Sequence, residues 1–168
     1  SPYLWHYHHK LIGFHYTNLG ILIGGRLVFN RIIPIAGERF TRAVEREVRC
    51  DFESAEQLKI QHGLKYMERF RPQDAGLEAE GIQVSGALEQ EVEALLTEVE
   101  RSFQFAFKTE SGSDAVRFQS IYLLGGGSRL GLLKEYLEKR LESPVRSVDL
   151  WQGLTFQERA VDSDFLKE

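Results

Sequence analysis

The segment LLGGGSRL (residues 123–130) puts three consecutive glycines between an apolar run and a leucine-patterned stretch. A strand, a glycine turn and a helix start form a general ligand-binding geometry. Without a Cβ, Gly125, Gly126 and Gly127 would let a ligand approach the backbone closely. The start of a following helix offers unbonded N–H groups and partial positive charge to an anion. The motif is neither GxGxxG nor the phosphate-cradling GxxxxGK(S/T), so taken alone it reads equally as a connector with Ser128 capping the next helix. A second cluster is His6, His8, His9 and His15. On a strand His6 and His8 share a face, and two imidazoles at that spacing could bind zinc. Too few ligands converge for a closed tetrahedral site, and an aromatic strand is the simpler reading. No Ser/His/Asp or Cys/His spacing points to nucleophilic catalysis.

The elements that must hold these residues follow from periodicity. Residues 3–17 are rich in aromatic side chains and compatible with strand. In LGILIGGRLVFNRIIPI (19–35) two apolar runs flank Gly24-Gly25, the signature of a hairpin. GERFTRAVEREV brings Phe40, Ala43, Val44 and Val48 to one helical face. Asp51 then reads as the cap of another short helix through about Ile60. Residues 62–87, glycine-containing and locally basic at Lys65, Arg69 and Arg71, read as a surface loop. Leu88, Val92, Leu95, Leu96, Val99 and Phe103 define a long amphipathic helix. Phe107 shares the buried face with Phe103, whereas Phe105, about 160° away, is a candidate exposed contact. RFQSIYLL reads as a buried strand. Leu130, Leu133, Leu137 and Leu141 mark a helix, and SPVRSVDL a last strand. The order β-β-β-α-α-α-β-α-β implies a mixed α/β sheet with helices packed on it.

Composition narrows the class. Of 168 residues, 42% are hydrophobic and 27% charged, as in ordinary globular domains. A formal charge of -4 argues against a nucleic-acid partner. No run of 18 apolar residues suggests a membrane-spanning helix, and the first ten residues lack signal-peptide character. Cys50 is the single cysteine, compatible with a reducing cytosol.

Three stretches occur in order: FHYTNLGILIGGRLVFNRIIPIAGERFTRAVEREV, SAEQLK and IYLLGGGSRLGLLKEYLEKRLESPV. Together they resemble the second half of the actin-like pilus assembly ATPase family, PilM, related to FtsA. The resemblance covers roughly residues 11–148. It implies the second, RNase H-like lobe of an actin-like ATPase. Residues 1–168 would form one lobe, with 11–61 and 88–150 as its core and 151–168 as a tail. It places Gly13, Thr17 and Asn18 in a hairpin beside nucleotide phosphates. It places Glu56 and Lys59 at the ribose and adenine, the carboxylate on the hydroxyls and the lysine stem over the base with its ammonium in water. Gly125, Gly126, Gly127 and Ser128 become the floor under the adenosine. The implied cofactors are ATP and Mg2+. The implied setting is the cytoplasm at the inner membrane, where a scaffold docks the cytoplasmic tail of a membrane pilus or secretion protein; self-association is also compatible. Two departures favour binding over hydrolysis. Leu11 stands where the family's phosphate loop opens with aspartate, and no counterpart of the first lobe precedes residue 11. The alternative is an interaction module that keeps the fold without nucleotide.

Overall fold

The structure is a computed structural model that describes residues 6–67, 79–108 and 119–148. Three antiparallel strands come first: β1 (His6–Ile12), β2 (Thr17–Ile23) and β3 (Arg26–Ile33). Between β2 and β3 sit Gly24 and Gly25, with φ of 57° and 78°. A type I′ turn, one of the two that match strand twist, needs both residues at positive φ, and glycine meets no steric penalty there. Helices α1 (Gly37–Val48), α2 (Phe52–His62) and α3 (Ala79–Lys108) follow. The described chain then forms β4 (Ser120–Leu124), a 3-10 turn at Gly126–Arg129, α4 (Leu133–Leu141) and β5 (Val145–Ser147).

The strands make one sheet in the order β3-β2-β1-β4-β5. β1 pairs antiparallel with β2 and parallel with β4, and β4 pairs parallel with β5. The mixed sheet expected from the hydropathy pattern is the one observed. Leu19 and Ile21 of β2 and Ile121 and Leu123 of β4 alternate into the core, as period-two strands require. They join Phe40 and Val44 of α1, Val92, Leu95 and Val99 of α3, and Leu133 and Tyr136 of α4 in one cluster. Phe103 and Phe107 are buried and Phe105 is exposed, as the helical angle implies; the Phe105 ring lies 6.1 Å from that of Phe29. The β2–β3 register shifts at Ile21/Leu22.

Two expectations are corrected. Residues 79–87, read as part of a loop, are helix, and Val84 within them is fully buried. Of the two glycines in this stretch, Gly81 serves packing, since a Cβ there would run into the Tyr66 ring, whereas one on Gly86 would meet nothing within 4 Å. Residues 63–67 are not helix, yet Leu64 and Met67 turn into the core rather than over the surface. Arg69, Arg71 and the segment 151–168 lie outside the described residues.

α1 and α3 are fastened at Glu91. This largely buried carboxylate accepts from Arg39 Nε at 2.5 Å and Arg46 Nη2 at 3.4 Å. A carboxylate at that depth needs such donors. Glu91→Ala leaves two arginines that water can still solvate, so the expected loss is about 1–2 kcal/mol. It should be read as a lower urea midpoint at unchanged slope.

Candidate functional site

β1 and β4 lie side by side and parallel, with Leu11 opposite Leu124. The segments leaving their carboxyl ends, Gly13-Phe14 and Gly125–Gly127, therefore emerge together. Ligands of open sheets sit at such a place. A cavity of about 630 Å³ opens there, a size suited to a small molecule. Its walls come from the β1–β2 turn (Gly13, Phe14), α1 (Gly37, Phe40), α2 (Glu56, Lys59, Ile60) and the glycine turn (Gly126, Gly127, Arg129, Leu130).

Backbone hydrogen bonds lock the first two walls together. Ala36 precedes α1 without a side-chain cap. The orphan amides of the helix start find tertiary acceptors instead: Gly37 N donates to Gly13 O at 3.1 Å, and Glu38 N to Phe14 O at 2.7 Å. The approach is close enough that a Cβ on Gly37 would lie 3.3 Å from Gly13 O. Beside this turn His15 contacts Glu38 at 2.7 Å. Among the described residues no group of three or more His, Cys, Asp or Glu could hold a metal.

α2 is capped by Asp51, which accepts from Ser54 N at 3.0 Å and Ser54 Oγ at 2.7 Å. The Ser54 amide, and after it the hydroxyl, hold the Asp51 carboxyl below its ordinary value. A depressed carboxyl stabilises the fold above the unfolded value of about 3.9 and loses that contribution as acid protonates it. The Ser54 amide shift should titrate below the ordinary aspartate range, and Asp51→Ala should abolish that step.

One turn further on, Glu56 and Lys59 project together, as their spacing implies. The lysine is not solvated, however. Lys59 is 8% exposed. Its ammonium donates to Glu56 Oε2 at 2.5 Å and to Thr41 Oγ1 at 2.9 Å. Burying that ammonium is tolerable because both acceptors are in place. α2 ends at Gly63, φ 51°, where a Cβ would approach Gly131 O to 2.8 Å. Leu64 N donates to that same carbonyl at 3.0 Å. The end of α2 is thus pinned to the segment after the glycine turn.

The glycine turn itself differs from the expected helix start. Gly126–Arg129 is a single 3-10 turn, and α4 begins only at Leu133. Ser128 therefore caps no α-helix. Its amide and hydroxyl both donate to Gly125 O, at 3.1 and 2.6 Å, and Gly125 takes φ 88°. A Cβ on Gly127 would overlap the Ile12 side chain and lie 3.1 Å from Ile12 O, whereas one on Gly126 meets nothing within 4 Å.

Five of the nine sequence-derived residues, Gly13, Glu56, Lys59, Gly126 and Gly127, line the cavity. Gly125 and Ser128 shape the turn behind it. Thr17 is fully buried and donates to Ile35 O at 2.6 Å, while Asn18 pairs within the sheet with Leu11 and Ile32. Sequence reasoning missed Thr41, although its spacing from Val44 and Val48 put it on the buried face of α1. It also missed Arg129, which the quoted glycine motif contains.

Gly127→Ala should cost about 1–3 kcal/mol through overpacking against Ile12. Gly126→Ala should stay within about 0.5 kcal/mol of the parent. Paired thermal melts check the contrast.

Sheet order and cavity position define an actin-like lobe. The solved PilM-PilN type IV pilus biogenesis complex matches with a TM-score of 0.69 at 24% identity, over 96% of this chain and 40% of that one. MreB 5 of Spiroplasma citri bound to AMPPNP matches at 0.63 and 18% identity, over 85% of this chain and 48% of that one. The ethanolamine utilization protein EutJ from Carboxydothermus hydrogenoformans matches at 0.58 and 16%, over 83% of this chain and 43% of that one. The chain thus spans less than half the length of each, and at these identities the likeness is one of fold. No curated protein matches the chain. The family described as cell division protein FtsA matches residues 12–157, and the chain belongs to that family. The expected actin-like, FtsA-related membership is borne out.

Proposed function

We propose that this chain is the second lobe of an actin-like assembly scaffold and that its cavity holds the adenosine part of ATP. The observation that carries this reading is the convergence of Gly13, Glu56, Lys59, Gly126 and Gly127, from three separate segments, on one cavity at the strand ends. Gly126 leaves room for a flat ligand over the turn. Glu56 Oε2 is engaged by Lys59, while its second oxygen makes no hydrogen bond among the described residues and suits a ribose hydroxyl. Arg129 has no ion pair among the described residues. Its planar guanidinium can stack on a base or meet a phosphate.

The lining does not fit a magnesium ion held by the protein. Among the described residues Glu56 is its one carboxylate and already carries an ammonium, whereas magnesium needs several hard oxygens. Any magnesium therefore arrives on the nucleotide phosphates. With Leu11 at the position where the resemblance expects aspartate, the reading is binding without appreciable hydrolysis. Phosphoryl transfer depends on positioned charge, and a leucine supplies none where the resemblance expects a carboxylate. The scaffold role, with docking to the cytoplasmic tail of an inner-membrane pilus or secretion protein, draws its support from the fold shared with the PilM-PilN complex. Among the described residues no helix is long and apolar enough to cross a membrane.

Leu11 also favours a second reading, an interaction module that keeps the fold and has lost nucleotide. Calorimetry with ATP and magnesium separates the two. The first expects saturable heat that Gly126→Val abolishes at an unchanged melting temperature, with no phosphate release. Absence of heat from the folded parent chain supports the second.

A further inference from the structure

We infer that Thr41 is the positioning residue of the cavity, setting Lys59 and Glu56 in its wall and tying them to the β1–β2 turn. Thr41 is fully buried on α1, one turn from the helix start. Its hydroxyl accepts from Lys59 Nζ at 2.9 Å and lies within donating reach of Gly37 O, at 3.0 Å, and of the Glu56 carboxylate. A hydroxyl has one proton, so it donates to one of these at a time while accepting from the ammonium. Gly37 is also the residue whose amide donates to Gly13 O. With the hydroxyl proton on Gly37 O, a continuous path of hydrogen bonds runs from the β1–β2 turn through Gly37 and Thr41 to Lys59 and Glu56.

Two alternatives at position 41 separate the hydroxyl from the space it fills. Valine has the shape of threonine but would leave the buried ammonium one acceptor short and the Gly37 carbonyl without this donor. Serine keeps the hydroxyl and loses only a methyl group. Thr41 is thus distinct from a residue that merely fills space, for which valine would serve.

The effect on ligand affinity rests on the nucleotide reading above, so the test has two readouts. The first is heteronuclear NMR of lysine ammonium groups, which needs no ligand. Lys59 should give a signal protected from exchange in the parent chain. Thr41→Val should lose it and Thr41→Ser should keep it. The second is affinity for magnesium-ATP, expected to fall about tenfold in Thr41→Val and to recover in Thr41→Ser. Retention of the ammonium signal in Thr41→Val, or its loss in both variants, overturns the inference. Should the parent chain bind no ATP, the nucleotide reading falls and the ammonium signal alone decides the role of Thr41. Should the valine variant not fold, Thr41→Ala against Thr41→Ser makes the same comparison.

Discussion

Two carbonyls govern this lobe. Gly13 O and Phe14 O accept the first amides of α1, which has no side-chain cap of its own. Buried backbone donors left without partners are costly, so the helix start and the β1–β2 turn have little freedom to move apart. That fixes Phe40 and Thr41, because both ride the first turns of α1. It also explains the crowding of small residues. Gly37 and Gly127 come from two further segments, and each sits where the backbone or the Ile12 side chain around the β1–β2 turn passes at contact distance, while Gly13 is crowded by Tyr16 O of its own turn. The cavity is the space left over when these backbones meet.

The second wall is anchored differently. α2 is held at its start by the Asp51 cap, which is local, and at its end by the contact of Gly63 with Gly131, which spans a long stretch of chain. Between the two, Lys59 turns inward to Thr41. The side of α2 that faces α1 is therefore specified by a polar contact as well as by apolar packing. Such a contact is selective, because only one rotation of the helix satisfies the ammonium. Arg39 and Arg46 do comparable work at the far face of α1, where Glu91 receives them.

Local signals made much of the architecture legible in the sequence. The Gly24-Gly25 turn, the apolar face of α1 and the Asp51 cap each depend on neighbours within a few positions. The amphipathic stripe of α3 is similarly local, and all were readable. The errors fall where distant contacts decide. Gly81 resembles a helix breaker until the Tyr66 ring is seen to occupy the place of its side chain. Glu56 and Lys59 are close on any helix, yet their spacing cannot say that the lysine faces a buried threonine from another helix. Ser128 looks like a cap because serine often is one. Its hydroxyl is drawn back to Gly125 O because the chain makes a 3-10 turn before α4 begins. The residues that gather at the cavity were found mainly through their resemblance to a family pattern; spacing alone left the glycine motif open between a site and a connector.

The register shift at Ile21/Leu22 has a further consequence for the rim of the sheet. Among the described strands β3 lies at an edge of the sheet, and Leu27, Val28 and Ile32 on it are exposed. A flat apolar edge of that kind is a template for strand-by-strand growth into aggregates. Irregular pairing of this kind bends a strand and increases its local twist, which hinders a straight incoming strand at that point. Arg26, at the start of β3, adds charge to the same rim. At the opposite rim the described part of β5 is only 3 residues long. The lobe thereby keeps a hydrophobic border without offering a continuous ladder to whatever strand drifts past.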